Sequence, residues 1–126
     1  MASAYGKEDE RTLTAASNYV TTLNCLERFE ESKSLLQKTM PVARRVFGEH
    51  NDMMLRLRWG YARALCQADG ATLDDVREAV ATFEEIERIA RRVLGGANPI
   101  TSAIEDDLRH ARAALAARET PPSDAS

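Results

Sequence analysis

The sequence predicts an all-α fold: a helical solenoid of antiparallel helix pairs, with two full repeats and a terminal helix. Three observations predict it. First, a segment returns. Ala43-Arg44-Arg45-Val46-Phe47-Gly48-Glu49-His50-Asn51 is answered 47 positions later by Ala90-Arg91-Arg92-Val93-Leu94-Gly95-Gly96-Ala97-Asn98, and Gly6-Lys7-Glu8-Asp9-Glu10 is a weaker echo 42 positions earlier. Second, apolar residues recur at three- and four-residue steps, the spacing of one helix face. Third, aromatic residues make up only 6% of the chain and β-branched runs are scarce, which disfavours a sheet-based core.

Each element follows from local signals. Residues 1–8 are expected to be a flexible lead-in, with Asp9 capping a first helix that runs to about Leu26. Its stripe is Leu13, Ala16, Tyr19, Val20 and Leu23. A second helix, from about Glu27 to Phe47, carries Phe29, Leu35, Leu36, Met40, Ala43, Val46 and Phe47 on its buried side. Arg44 and Arg45 complement the negative end of its dipole, and Gly48 supplies the backbone freedom that stops it. Pro41 removes one backbone hydrogen bond from this helix, and a kink is expected there rather than a reversal, because the apolar rhythm continues in phase.

Asn51 caps a third helix, to about Ala68, with Leu55, Tyr61, Ala62 and Leu65 facing the core. Thr72 and Asp75 form a capping box that opens a fourth helix bearing Val76, Ala79, Val80, Phe83, Ile86, Ile89, Ala90, Val93 and Leu94. Asn98-Pro99 is a strong start signal for a fifth helix, because the proline's missing N–H costs nothing at the first helical position. That helix places Ile100, Ile104, Leu108, Ala111 and Leu115 on one face to about Arg118, and residues 120–126 read as a disordered polar tail. The repeat domain is thus expected to span residues 9–119.

Composition narrows the function. A net charge of −3 gives no reason to expect a nucleic-acid partner. No apolar run approaches the roughly 20 residues that cross a bilayer, and Met1-Ala2-Ser3-Ala4-Tyr5 lacks the pattern of a signal peptide. Cys25 and Cys66 lack CxxC spacing and read as free, partly buried thiols in a reducing compartment, which places the chain in the cytoplasm.

Aligning Gly6, Gly48 and Gly95 brings further positions into register. Asp9, Asn51 and Asn98 become helix caps. Tyr19, Tyr61 and Leu108 share one core site, Leu23 matches Leu65, Phe29 matches Val76, and Ser32 matches Ala79 where a small side chain is needed. A pair of helices repeating at this length is a solenoid unit. These residues resemble the tetratricopeptide repeat family in its longer, kinesin-light-chain-like variant. Asn18-Tyr19-Val20-Thr21-Thr22-Leu23 looks like the family's first-helix motif. Glu27-Arg28-Phe29-Glu30-Glu31-Ser32 looks like its Gly-Arg-Tyr-Glu-Glu-Ala turn, and Arg45-Val46-Phe47-Gly48-Glu49-His50-Asn51 like its link. Glu27 stands where the family has glycine, Ser32 where it has alanine, and Gly60 where it has asparagine. Pro41 is a further departure.

The resemblance implies that the first helix of each pair lines a concave groove that binds an extended peptide or partner segment. Carried across copy by copy, the groove falls on Ser17, Asn18, Thr21 and Asn24, with Thr14 beside them. Arg56, Trp59 and Arg63 follow from the third helix, with Cys66 or Gln67, and Asp107 and His110 from the fifth, with Asp106. Asn18 offers an amide that can clamp a ligand backbone, and Arg56 and Arg63, on one face, suit an acidic peptide or a carboxylate. Trp59 is either a binding anchor or packing between repeats. The adjacent pairs Asp74-Asp75 and Asp106-Asp107 point apart on a helix and read as caps or surface charge, not an acid/base dyad. His50 and His110 have no metal-ligand spacing, and no phosphate loop or nucleophile motif is present, so neither a cofactor nor an enzymatic activity is expected. The alternative reading is a structural unit that self-associates into a homo-oligomer through its ends, or a piece of a larger scaffold.

Overall fold

The computed structural model describes residues 2–49 and 51–119, and the expected tail at 120–126 and His50 lie outside them. The described residues are all-α. Five helices follow in order: α1 Ala2–Cys25, α2 Phe29–Phe47, α3 Asp52–Gln67, α4 Leu73–Val93 and α5 Pro99–Glu119. Each packs on the next, α3 also touches α1 and α5, and neither α1 and α5 nor α2 and α4 meet.

The helix boundaries follow the local chemistry. Asn51 Oδ1 accepts from Met53 N–H at 2.7 Å, and Asn98 Oδ1 accepts from Ile100 N–H at 2.8 Å. Thr72 and Asp75 bond reciprocally at 3.0 Å, so the capping box forms as read. The repeated glycines Gly48 and Gly95 both have positive φ, +82° and +95°, which a residue with a Cβ adopts only at a cost. α2 runs through Pro41 without reversing.

Helix α1 departs from expectation at its start. It begins at Ala2, so Gly6 and Asp9 lie within a helix, and neither a turn nor a cap forms there. No proline interrupts 2–9, and one interior glycine costs only about 1 kcal/mol, so nothing local compels the chain to leave the helix. The correspondence of Gly6 and Asp9 with the later turn residues therefore fails, although the register of the helix itself holds.

That register is visible in burial. With the 42- and 47-residue offsets, Met54, Leu57 and Ala64 of α3, and Ala68 just past its end, correspond to Thr101, Ile104, Ala111 and Leu115 of α5; all are buried except Leu115, which is half-buried. The equivalent residues of α1, Thr12, Ala15, Thr22 and Leu26, are exposed. The second face behaves inversely. Leu13, Val20 and Leu23 of α1 and Leu55, Ala62 and Leu65 of α3 are buried, whereas Ser102, Arg109 and Arg112 of α5 are exposed. α3 is thus covered from both sides, α1 from one and α5 from the other.

Tyr19, expected in the core, is 55% exposed, while its counterpart Leu108 is 7% exposed and Tyr61 is half-buried. The reason is position: this site faces the preceding helices, and no described helix precedes α1. Val93, also expected inside, is exposed in the last turn of α4. Of the α2 set, Phe29, Leu36 and Ala43 are buried, while Leu35, Met40, Val46 and Phe47 are half-buried against the same cluster. The sites shared by Ser32 and Ala79, by Leu23 and Leu65, and by Phe29 and Val76 are buried in both copies.

Beside a small cluster of Phe29, Ala64 and Ala68, two large apolar clusters result. One joins α1, α2 and α3 around Leu13, Val20, Leu36, Met54 and Leu57. The other joins α3, α4 and α5 around Leu55, Leu65, Phe83, Ile86 and Ile104. Burying each large side chain contributes roughly 1.5–3 kcal/mol. Three ion pairs bridge α4 and α5: Arg77–Glu119, Glu84–Arg112 and Arg91–Glu105. Seven residues forward on α4 match seven backward on α5, so these helices run antiparallel.

Two residues, one in the α1–α2 turn and one in the first turn of α2, are suboptimal. Glu27 sits at φ +60°, while Arg28 N–H bonds Leu23 O at 2.8 Å and Glu27 N–H bonds Asn24 O at 3.0 Å. This is a helix stop in which glycine is the favoured residue, with glutamate in its place. Glu27→Gly should therefore stabilise the protein by about 1 kcal/mol, the cost of a left-handed residue bearing a Cβ. Urea unfolding checks it: a higher midpoint at unchanged slope is expected. Ser32 is fully buried and its Oγ has no hydrogen-bond partner. Ser32→Ala should raise the thermal midpoint, recovering about 1 kcal/mol of desolvation, and a lowered midpoint would contradict this packing.

Candidate functional site

Gly60 leaves room for α1 to pack tightly on α3 in the first cluster. A Cβ at this position would stand 2.8 Å from Val20 Cγ1, inside contact distance of a buried, short side chain. α1 and α3 therefore come close at Gly60. Its carbonyl accepts a hydrogen bond from Asn24 Nδ2 at 3.2 Å, which fixes the orientation of that amide. A cleft of about 250 Å³ lies beside this contact.

Ser17, Asn18, Thr21, Asn24, Arg56, Trp59 and Arg63 line this cleft, with Val20 and Gly60 at its floor. Seven of the nine groove positions read from the sequence are thus brought together. Their exposure differs from the expected open row. Ser17 and Asn24 are buried, because the approach at Gly60 turns them towards α3, whereas Asn18 and Thr21 stay exposed at the rim. Asp107 lies behind the wall, where its Oδ2 accepts from Trp59 Nε1 at 2.7 Å and stands 3.6 Å from Arg63 Nε. It holds both side chains in place. His110 is exposed on α5 and is not part of the lining. Asp106 pairs with Arg109.

The polar accounting of the cleft is incomplete. Asn24 Oδ1 and Arg63 Nε are buried and have no hydrogen-bond partner. Such groups carry a desolvation cost of about 1–3 kcal/mol each until something satisfies them. The Thr21 hydroxyl is occupied, donating to Ser17 O at 3.1 Å, and Arg56 lies 3.4 Å from Asp52. The cleft therefore offers the unpartnered Asn24 amide oxygen, the Arg63 guanidinium with Asp107 as its 3.6 Å ion-pair partner, the exposed Asn18 amide and a tryptophan wall. It has no nucleophile paired with a base.

Sequence reasoning missed Val20 and Gly60 as the floor. The signal was present, since Gly60 interrupts an otherwise good helix former stretch at a position where a close neighbour is the usual reason. A larger depression of about 500 Å³ runs along α4 beside Glu85, Arg88, Ile89, Arg91 and Arg92, but one helix alone supplies its walls. Glu85 beside it is held below its usual pKa by the Arg58 hydrogen bond at 2.6 Å. No helix of the described residues is long and apolar enough to cross a membrane. Comparison of the chain with protein-family models, with curated proteins and with solved structures finds no match.

The two cysteines differ. Cys25, expected to be partly buried, is exposed at the end of α1, whereas Cys66 is half-buried. Burial, and then the charge of Asp107, push the Cys66 thiol up to about 11 from 9.0. A raised native value means that Cys66 supports stability below pH 9.0, and that this support is lost as pH rises towards about 11. Maleimide labelling of the native protein at neutral pH should modify Cys25 and spare Cys66. In alkali, Cys66→Ala should lose less stability than the parent, and equal losses would contradict the assigned burial.

Proposed function

We propose that this chain is a small interaction module of the tetratricopeptide type, whose helix pairs stack as a short solenoid and bind an extended, carboxylate-bearing peptide. The binding place is the α1–α3 cleft. The observation that carries the reading is one cleft with the buried, unpartnered Asn24 Oδ1 in its α1 wall and, in its α3 wall, the buried Arg63 Nε, which makes no hydrogen bond and has Asp107 3.6 Å away. A peptide backbone N–H suits the first and a peptide carbonyl or carboxylate the second, while Arg56 and Asn18 at the rim extend the same chemistry. Trp59, held by Asp107, offers a flat apolar wall to a side chain of the peptide.

The repeat reading rests on the burial that α3 shares with α5 on one face and with α1 on the other, on the equivalent asparagine caps of α3 and α5, and on the positive φ of Gly48 and Gly95. Rigid helices holding side chains at fixed spacing favour recognition over chemistry. We read the module as cytoplasmic and non-enzymatic.

Trp59 is the chain's single tryptophan, so its fluorescence reports directly on the cleft. Titration with peptide libraries should give a saturable change for acidic or carboxylate-terminated peptides and weaker binding at high salt. Arg56→Ala should bind about tenfold more weakly, the loss of one charge-assisted hydrogen bond. If no peptide class perturbs Trp59, or if Arg56→Ala binds like the parent, the reading fails.

A further inference from the structure

The two arginines of the cleft are not equivalent. Arg56 and Arg63 both stand on α3, about 10 Å apart along its axis at roughly 1.5 Å per residue. Arg56 faces Asp52 at 3.4 Å on its own helix, and these side chains are 49% and 50% exposed. An exposed pair of this kind contributes little, so a ligand carboxylate can take the place of Asp52. Arg63 instead has Asp107 of α5 at 3.6 Å, and the Asp107 side chain is only 23% exposed.

Asp107 does not line the cleft itself, yet it governs two residues that do. Its Oδ2 accepts the Trp59 Nε1 hydrogen bond at 2.7 Å, and Arg63 Nε lies 3.6 Å from the same oxygen. Trp59 and Arg63 are one helical turn apart on one face of α3, so a single carboxylate reaches both. The separation from Arg63 is too long for a hydrogen bond, and its Nε is buried without one. The Nε–H of Arg63 is thus free to donate while its charge is balanced. The field of Asp107 also reaches Cys66, whose thiol it helps burial to push up.

We propose that Asp107 is the resident counter-charge of this cleft and sets the polarity of its ligand. A peptide carboxylate pairs with Arg56 at the rim, and a neutral carbonyl accepts from Arg63 within. A carboxylate placed at Arg63 would stand against Asp107 across one guanidinium, and like charges so close disfavour each other. Displacing Asp107 is no escape, because the Trp59 indole N–H would then lose its acceptor. The interval of about 10 Å between the arginines matches about three residues of extended chain at roughly 3.3 Å each. The preferred ligand is therefore a segment whose carboxylate lies about three residues from the carbonyl that Arg63 holds. Resting on the peptide reading of the cleft, this assignment makes Asp107 a positioning residue that touches no ligand atom.

Quenching of Trp59 fluorescence reads the charge without any peptide. Asp107→Asn keeps an acceptor for the indole and removes the charge, so iodide should quench Trp59 about twofold more strongly. Neutral acrylamide should quench it as in the parent. Asp107→Ala, which also releases the indole, should raise quenching by both agents. Asp106→Asn, at an exposed residue paired with Arg109, should raise neither. Pools of N-acetylated hexapeptides with a free terminal carboxylate then test the polarity, with asparagine or aspartate three residues before that terminus. The parent should bind the asparagine pool about tenfold more tightly, and Asp107→Asn should abolish that preference. Unchanged iodide quenching in Asp107→Asn overturns the assignment, as does a preference that survives this substitution. If no pool binds, the peptide reading fails and takes the ligand polarity with it, while iodide alone still decides whether Asp107 balances Arg63.

Discussion

Everything in this molecule depends on α3 being covered from both sides. Met54 and Leu57 are enclosed with α1 and α2, while Leu55 and Leu65 are enclosed with α4 and α5, and none of the four is more than 3% exposed. A helix of this composition left half-uncovered in water would expose several large side chains, each disfavoured by about 1.5–3 kcal/mol. The outer helices need only one covered face each, and their sequences differ accordingly. α5 replaces the outward apolar positions with Ser102, Arg109 and Arg112, whereas α1 keeps Tyr19 and Leu26 there.

The same constraint shapes the cleft. Bringing α1 close enough to seal Val20 and Leu57 requires the missing side chain at Gly60. A narrow polar recess lies beside this close approach, with Asn24 and Arg63 drawn into it and partly unsatisfied. Asp107 from α5 reaches Trp59 and Arg63 on α3, so the wall of the recess is braced by the terminal helix. Packing and recognition chemistry thus share residues, and a substitution at Asp107 would disturb both.

Much of the fold was legible because its signals are local. Asn51, Thr72 with Asp75, and Asn98 cap helices through atoms two or three residues away, and Gly48 and Gly95 stop helices by their own backbone freedom. What failed depended on neighbours that a sequence does not display. Periodicity marks Tyr19 as apolar at a helix-face position, but it cannot say that nothing packs there. Asp9 has the chemistry of a cap, yet capping requires the chain to leave the helix, and residues 2–9 have no reason to do so. Seven of the residues picked by carrying register from helix to helix line one cleft. The bond from Trp59 to Asp107 was invisible, since it joins α3 to α5 across 48 positions of sequence.

The central claim is that the helices stand in an open row, with α3 between α1 and α5. Its most direct test is a distance between spin labels at Thr22 on α1 and Arg109 on α5, in a Cys25→Ser, Cys66→Ser chain diluted with unlabelled protein. Neighbouring helix axes lie about 8–10 Å apart, so helices separated by a third should give one distribution centred beyond about 20 Å. A distribution centred below about 15 Å, the separation of adjacent helices in a closed bundle, would contradict the account.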